Sequence, residues 1–279
     1  MSVSTIDTQN LGCIAKAKNL QSHSNNEVEF ETQQTEYPHK WDKPTVTYAM
    51  IRGTEDIPGD SMEIIAMNLA MTTWDFEIPL TLQVVKKNEN PDITLEFSDS
   101  KNDNYFKDNP SVLAYAYYPK TSSEGVIKFS DDHLWSLDGQ SVPAPYDPTG
   151  RTKFKTYNMI HTLVHEIGHS IGLSHAKGTD HNKAVMYPYY NGQLDLDEYD
   201  IERIVAKYGS RQWAHPIHYT RMKNWLKLRV RRFGTPQTQN QEINAIKNEL
   251  DITKEELKKK DAVIMEQIKV IMDLTKKLK

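Results

Sequence analysis

The sequence predicts an α+β domain built on one mixed sheet over residues 38–210, with a long coiled-coil helix appended at residues 237–279. Three observations carry this. Between 38 and 210 the apolar patterning runs strand, helix, strands, helix, helix, an order that gathers the strands into one sheet with helices packed on it. Ile160, Leu163, Val164, Ile167 and Ile171 fall on one stripe at helical spacing. Farther on, Ile243, Leu250, Leu257, Ile264, Ile271 and Leu278 recur at strict seven-residue steps, the period of a coiled-coil seam.

The elements follow in order. Residues 1–37 are polar, rich in Ser, Asn, Gln, Thr and Glu, and such a composition predicts a poorly ordered segment. Thr45-Val46-Thr47-Tyr48-Ala49-Met50 has the β-branched and aromatic content of a strand. Asp60 to Trp74 places Met62, Ile65, Ala66, Leu69 and Trp74 at helical intervals. Thr81–Val85, Ile93–Phe97, Val112–Tyr118 and Gly125–Phe129 read as four more strands. A helix is expected over Tyr157–Ile171. A last one runs over Asp197–Tyr208, with Gly209 at its C-cap. Residues 211–236 form a basic connector to the heptad segment.

Charge separates the two ends of the chain. Residues 211–279 hold 16 Lys and Arg against 8 Asp and Glu, a balance of +8, which leaves −12 for residues 1–210. Arg211, Arg221, Lys223, Lys227, Arg229, Arg231 and Arg232 have no acid among them. A solvated or intramolecularly docked linker is the expected reading, and contact with an anionic surface is the alternative. No specific nucleic-acid partner is predicted. No apolar run approaches the ~18–20 residues of a membrane span, and the first twenty residues lack a charged-then-apolar leader pattern. The single cysteine, Cys13, excludes an intramolecular disulfide.

The chemistry concentrates in His165-Glu166-Ile167-Gly168-His169-Ser170-Ile171-Gly172-Leu173-Ser174-His175. On a helix, positions i and i+4 share a face, so His165 and His169 can hold one ion. Glu166, next to the first ligand, is placed to act as a general base. Gly172 can take positive φ at little cost and turn the chain back, so that His175 supplies a third nitrogen. Three protein ligands with a fourth position open is the arrangement of a catalytic zinc. A bare HExxH arises by chance in roughly 1% of chains this long; the added Gly and His bring that to the order of 10⁻⁵. Nine residues past His175 begins Ala184-Val185-Met186-Tyr187-Pro188-Tyr189-Tyr190, which puts Met186 eleven residues beyond the third histidine. Its Met186 is placed to form a hydrophobic floor under the metal, the second half of the metzincin signature.

From here the resemblance becomes specific. Residues 38–209 resemble the catalytic domain of a matrixin, the matrix metalloproteinase family. Besides the zinc string and Met-turn, the matching stretches are Lys40-Trp41 with Thr47-Tyr48, Ala70 to Trp74 with Pro79-Leu80-Thr81, Pro91-Asp92-Ile93, Leu113 to Ala116, Phe129 to Asp132, and Leu196 to Gly209. The resemblance implies a mixed five-stranded sheet with three helices. It also implies a zinc metalloendopeptidase, with an extended polypeptide added antiparallel to the edge strand near Leu113 and Ala114. The main side-chain pocket would lie beside the zinc, walled by Pro188 and Tyr190. His161 would stand at its base, making it more polar or shallower; a buried histidine bonded to backbone is the equal alternative.

The departures are as informative. The positions aligned with a matrixin structural zinc are Ser100, Asn102, Tyr115 and Lys128, none a good ligand set, so one catalytic zinc and no structural second zinc is expected. At a neighbouring calcium site, Lys107, Ser130 and His133 stand where acids would be expected. Asp92, Asp131 and Asp132 remain, so a weaker Ca2+ site is one reading and ordinary surface acids the preferred one. Lys107 and Lys128 could replace the missing cation charge. The inhibitory PRCGxPD segment of matrixin proenzymes is not found; Cys13 is read as an inert thiol in preference to a zinc-capping one. Family analogy points outside the cell, which the N-terminal reading does not support, so the compartment stays open. The competing functional reading is a catalytically silent peptide-binding or coiled-coil tethering protein on the same scaffold. The heptad segment predicts homo-oligomers, with a helix folded back on the domain as the alternative.

Overall fold

The computed structural model describes residues 11–15, 39–57, 60–139, 142–143, 153–212 and 223–224. The chain divides into two compact units, residues 1–234 and 235–279. The predicted coiled coil, and with it the predicted oligomer seam, lies outside the described residues.

In chain order the elements are β1 (Leu11–Ala15), β2 (Thr45–Arg52), α1 (Asp60–Asp75), β3 (Thr81–Val84), β4 (Ile93–Ser98), α2 (Asn104–Asp108), β5 (Val112–Tyr117), β6 (Val126–Ser130), β7 (Trp135–Ser136), β8 (Val142–Pro143), β9 (Lys153–Phe154), β10 (Tyr157–Asn158), α3 (Met159–Ser170) and α4 (Glu198–Tyr208). The sheet order is β1-β5-β6-β4-β2-β3. Strands β3, β2, β4 and β6 are parallel, and β5 runs antiparallel to β6. These five are the expected mixed sheet. The sixth strand, β1, comes from the polar segment read as poorly ordered. Composition sums over a whole segment, whereas five residues can pair wherever an edge offers its backbone groups. Of the helices, α1, α3 and α4 match the three expected. The short α2 had no periodicity to reveal it; it is capped by Asp103, which accepts from the Tyr105 and Phe106 amides.

The core lies between the sheet and α1 and α3. Val46, Ile93, Leu95, Phe97, Ile127 and Phe129 are buried from the sheet side, and Ala66, Met67, Ala70, Met71 and Trp74 from α1. Trp74 packs α1 onto α3 and donates its indole N–H to the Val164 carbonyl at 2.8 Å. Every residue of α3 is buried, so this helix is central, as its apolar stripe and small residues allow. The segment leading into β2 is tied to the far end of the domain. Trp41 donates its amide to the Tyr208 hydroxyl (3.0 Å) and its indole N–H to the Ser170 carbonyl (2.9 Å).

The basic connector begins docked. Arg211 bonds the Asp75 carbonyl and carboxylate (2.7 and 3.0 Å), and Lys223 pairs with Glu77 at 2.8 Å. These two cations follow the intramolecular reading; the rest of the basic run lies outside the described residues. No helix among the described residues is long and apolar enough to cross a membrane.

Candidate metal centre

The site is assembled by α3, the turn after it, and α4. Asn158 caps α3, its side chain accepting from the His161 amide at 3.0 Å. The helix ends at Ile171, and Gly172 takes φ +101°. A side chain there would also meet the His39 carbonyl, so glycine is required twice over, for conformation and for space. The Gly172 and Leu173 amides close onto His169 and Gly168 carbonyls at 2.8 and 2.9 Å. That reversal returns His175 to the helix face carrying His165 and His169.

The three imidazoles converge. Their ring centroids are 4.7, 4.8 and 5.3 Å apart, and one ligand atom from each lies within 4.8 Å of the others. His165 and His169 are each oriented from behind. Nδ1–H of His165 donates to the Val185 carbonyl at 2.6 Å, and Nδ1–H of His169 to the Leu173 carbonyl at 2.7 Å. A carbonyl only accepts, so both Nδ1 atoms hold the proton and both Nε2 atoms present lone pairs. These two Nε2 atoms are 3.0 Å apart. Burial, reinforced by the neighbouring imidazoles, holds both rings well below the ordinary histidine range. Two facing lone pairs in neutral rings repel, and a shared cation relieves that repulsion. The donor set of three imidazoles is the one zinc takes in open sites, so the residues fit the ion. Glu166 is fully buried beside His165.

The Met-turn is where the sequence placed it, and its supports are residues the sequence reading did not name. Met186 is fully buried. A Cβ on Gly168 would collide with Met186 Sδ and lie 3.0 Å from the Trp74 ring, so Gly168 is a packing requirement as well as a spacer. Asp200, buried in α4, accepts from the Val185 and Met186 amides at 2.7 and 3.2 Å while closing the capping box with Asp197. Burial raises its pKa against the pull of those amides. The Asp197-x-x-Asp200 spacing was a visible capping-box signal; that the same carboxylate fastens the Met-turn was not. Ala176 donates to the Met186 carbonyl at 2.7 Å, and Arg203 grips the Ser174 carbonyl and hydroxyl at 2.9 Å. The loop bearing His175 is thus tied to both the Met-turn and α4.

Of the predicted substrate residues, Leu113 and Ala114 are buried in β5, and the outer edge of that strand carries β1. His161 is fully buried. Its Nδ1–H donates to the Gln193 carbonyl at 2.5 Å, and Tyr190 stands edge-on to its ring at 4.8 Å. Its Nε2 is buried and unpartnered among the described residues. Burial lowers its pKa to about 4, against the Gln193 bond. Tyr190 accepts the Asn158 amide at 3.0 Å, and Pro188 is half-buried.

At the positions aligned with a second metal, the residues bond neighbouring acids. Lys128 and Tyr115 face each other across β5 and β6. The Lys128 ammonium pairs with Asp103 at 3.0 Å and Glu96 at 3.1 Å, and the Tyr115 hydroxyl donates to Asp103 at 2.8 Å. Burial disfavours the ammonium, but the hydrogen bonds and charges of Asp103 and Glu96 outweigh it and raise its pKa. Asn102 bonds Asp99, and the Ser100 amide bonds Asp132. Asp92 is engaged by Lys43 and by the Thr47 amide and hydroxyl. Among the described residues, only His165, His169 and His175 form a cluster that could hold a metal ion.

Comparison with known families agrees with this geometry. The family model described as Matrixin matches residues 40–209, well over half of the chain, and the chain belongs to that family. It is 30% identical over 177 residues to stromelysin-1 of Equus caballus, covering 61% of this chain and 33% of that protein. It is 31% identical over 177 residues to the interstitial collagenase of Oryctolagus cuniculus, covering 62% and 34%. With the matrilysin of Homo sapiens it shares 33% over 178 residues, covering 62% and 60%. The chain therefore spans about a third of the length of the stromelysins it matches.

Proposed function

We propose that this protein is a zinc-dependent endopeptidase that cuts extended polypeptides. The observation that carries the reading is the pair of His165 and His169 lone pairs, each fixed by a backbone carbonyl and facing the other at 3.0 Å beside a buried Glu166. His165, His169 and His175 would hold the ion. Zinc bound there would supply a Lewis acid, polarising the scissile carbonyl and making water a competent nucleophile near neutral pH. Glu166 takes one proton of the attacking water as the new C–O bond forms and delivers it to the leaving amine nitrogen, so the C–N bond breaks to a neutral amine and a carboxylic acid, which then loses its proton to solvent.

The substrate strand lies antiparallel along β5 near Leu113 and Ala114, its backbone supplying affinity and its side chains specificity. Tyr190, Pro188 and His161 shape the pocket beside the metal, where the His161 Nε2 lone pair favours a side chain that can donate. One zinc per chain is the expected stoichiometry, because Lys128 already compensates Asp103 and Glu96, and Asp92 and Asp132 already serve protein donors. An extracellular setting follows the family, and homo-oligomers through residues 237–279 follow the heptads.

The test is cleavage of a peptide library by wild type and Glu166→Ala, with zinc quantified in both. Zinc retained without cleavage in the variant is expected. Equal cleavage by the two sinks the mechanism, and two zincs per chain sinks the stoichiometry.

A further inference from the structure

The end of the sheet opposite β1 carries an opening that the metal centre does not use. Strands β2 and β3 pair only from Thr45 opposite Thr81 to Tyr48 opposite Val84. One more bond, from the Val85 amide to the Tyr48 carbonyl at 2.9 Å, ends the ladder, and the chain turns away with the Glu89 amide on the Lys86 carbonyl. β2 runs on to Arg52, paired with β4 on its other side. Alternate residues of a strand turn their N–H and C=O groups to the same edge, so Met50 turns its pair where Tyr48 does, and β3 no longer lies beside it. At that vacated edge is a groove of about 470 Å³, lined among others by Met50, Ile64 of α1, Val84, Lys86 and Lys87. Ile64 and Val84 are 41% and 48% exposed, two of the three large apolar side chains left in solvent among the described residues. Lys86 and Lys87 are exposed, and neither ammonium pairs with a carboxylate among the described residues. The other charges at the groove are engaged: Arg52 bonds the Phe97 carbonyl, and the buried Glu63 accepts the Thr54 amide.

We propose that this notch docks an extended segment of a partner polypeptide that carries apolar residues next to acidic ones. Its main chain pairs with the outward N–H and C=O of Met50, taking the place β3 would fill if it ran two residues further. Its apolar side chains cover Ile64 and Val84, and its carboxylates meet Lys86 and Lys87. Charge selects the occupant. Residues 1–210 carry a balance of −12, so the domain at large repels an acidic segment and holds it only where two unpaired lysines stand. A basic segment would set like charges against those lysines at the one place where the backbone edge is open. The interaction is independent of the peptidase reading, because no residue of the notch belongs to the metal centre.

The probe is a fluorescent synthetic peptide of repeating Glu-Val-Glu-Phe, with a Lys-Val-Lys-Phe peptide and a backbone N-methylated form of the first as controls. Two full-length chains are compared, wild type and Lys86→Glu with Lys87→Glu; both lysines are exposed, so the reversal leaves the fold intact. The readouts are fluorescence anisotropy and amide hydrogen exchange at Met50. The glutamate peptide is expected to bind wild type and to slow exchange at Met50 while leaving Val112–Tyr117 unchanged. Charge reversal on the chain should weaken binding about tenfold, and both control peptides should bind at least about tenfold more weakly than the glutamate peptide. Equal binding by the lysine peptide, or by the charge-reversed chain, overturns the proposal. Equal binding by the N-methylated peptide overturns it by removing the main-chain pairing. Protection at Val112–Tyr117 in place of Met50 overturns it by moving the peptide to the other edge of the sheet. A Met50 amide already protected in the free wild-type chain, and released in the charge-reversed one, overturns it by making a segment of this chain the occupant. If the chain cleaves no peptide, the peptidase reading fails while exchange and anisotropy still decide this one.

Discussion

Two regions of the domain meet the same electrostatic problem in opposite ways. At the end of α3, two imidazoles aim lone pairs at each other across 3.0 Å, with the third ring close by; the cation that would satisfy them must come from outside the chain. Across β5 and β6, the cation is part of the chain itself. Lys128 bridges Glu96 and Asp103, and Tyr115 completes Asp103. A metal concentrates charge and leaves a position open for chemistry. An ammonium neutralises the same carboxylates but offers no open position, so it can hold two strands together and do nothing more. The catalytic centre cannot be replaced in this way; a purely structural site can.

The contrast is sharpest under metal removal. A strong chelator should abolish cleavage and lower Tm by on the order of 10 °C, assuming the ion contributes about 4 kcal/mol. Glu166→Gln should reduce turnover by roughly 10²–10⁴ while keeping the zinc. Cleavage that survives chelation would erase the difference between the two regions.

Gly168→Ala comes next. Its new methyl meets Met186 Sδ and the Trp74 ring, so a loss of about 1–3 kcal/mol is expected in denaturant melts, together with weaker zinc retention. Wild-type stability and zinc content would show that the floor beneath the ion is not closely packed. Lys128→Met tests the other region. It leaves Asp103 buried with its charge uncompensated, but Lys128 is a quarter exposed and Glu96 a third, so screening limits the cost to about 1–2 kcal/mol. Zinc per chain and turnover should not change; loss of zinc would mean that the two regions are coupled.

His161→Leu gives the smallest effect. The ring is neutral in the fold, with its pKa lowered to about 4 by burial, against the ordinary 6.5. Between those values the unfolded chain binds a proton that the fold refuses, so this histidine's contribution is full above pH 6.5 and drains as pH falls towards 4. Replacing it should flatten that part of the stability curve by about 1 kcal/mol at pH 5.5. Identical pH profiles for variant and wild type would show that the ring is not held neutral.

Much of this was legible before any coordinates. The long elements have strong periodicity, and Thr45–Arg52, Asp60–Asp75, Ile93–Ser98 and Glu198–Tyr208 fall within a residue or two of their expected bounds. His165, Glu166 and His169 were legible because helical spacing is local geometry, and His175 because Gly172 announces the turn. The role of Asp200 was not legible, because its partners Val185 and Met186 lie beyond the helix it caps. Nor was the pairing of Lys128 with Asp103, which depends on which residues face each other across two strands.

The sequence by itself determined the three convergent histidines, the glutamate beside them, the buried Met186 and the order of the elements, because each is written in spacing along one stretch of chain. Only the tertiary structure decided what stands behind them: the carbonyls that fix the imidazole tautomers, the carboxylate that fastens the Met-turn, the ammonium between β5 and β6, and the strand from residues 11–15 on the outer edge of β5. Those contacts join residues up to about a hundred positions apart. Local pattern is blind to them because strand pairing depends on which backbone edge the completed sheet leaves open.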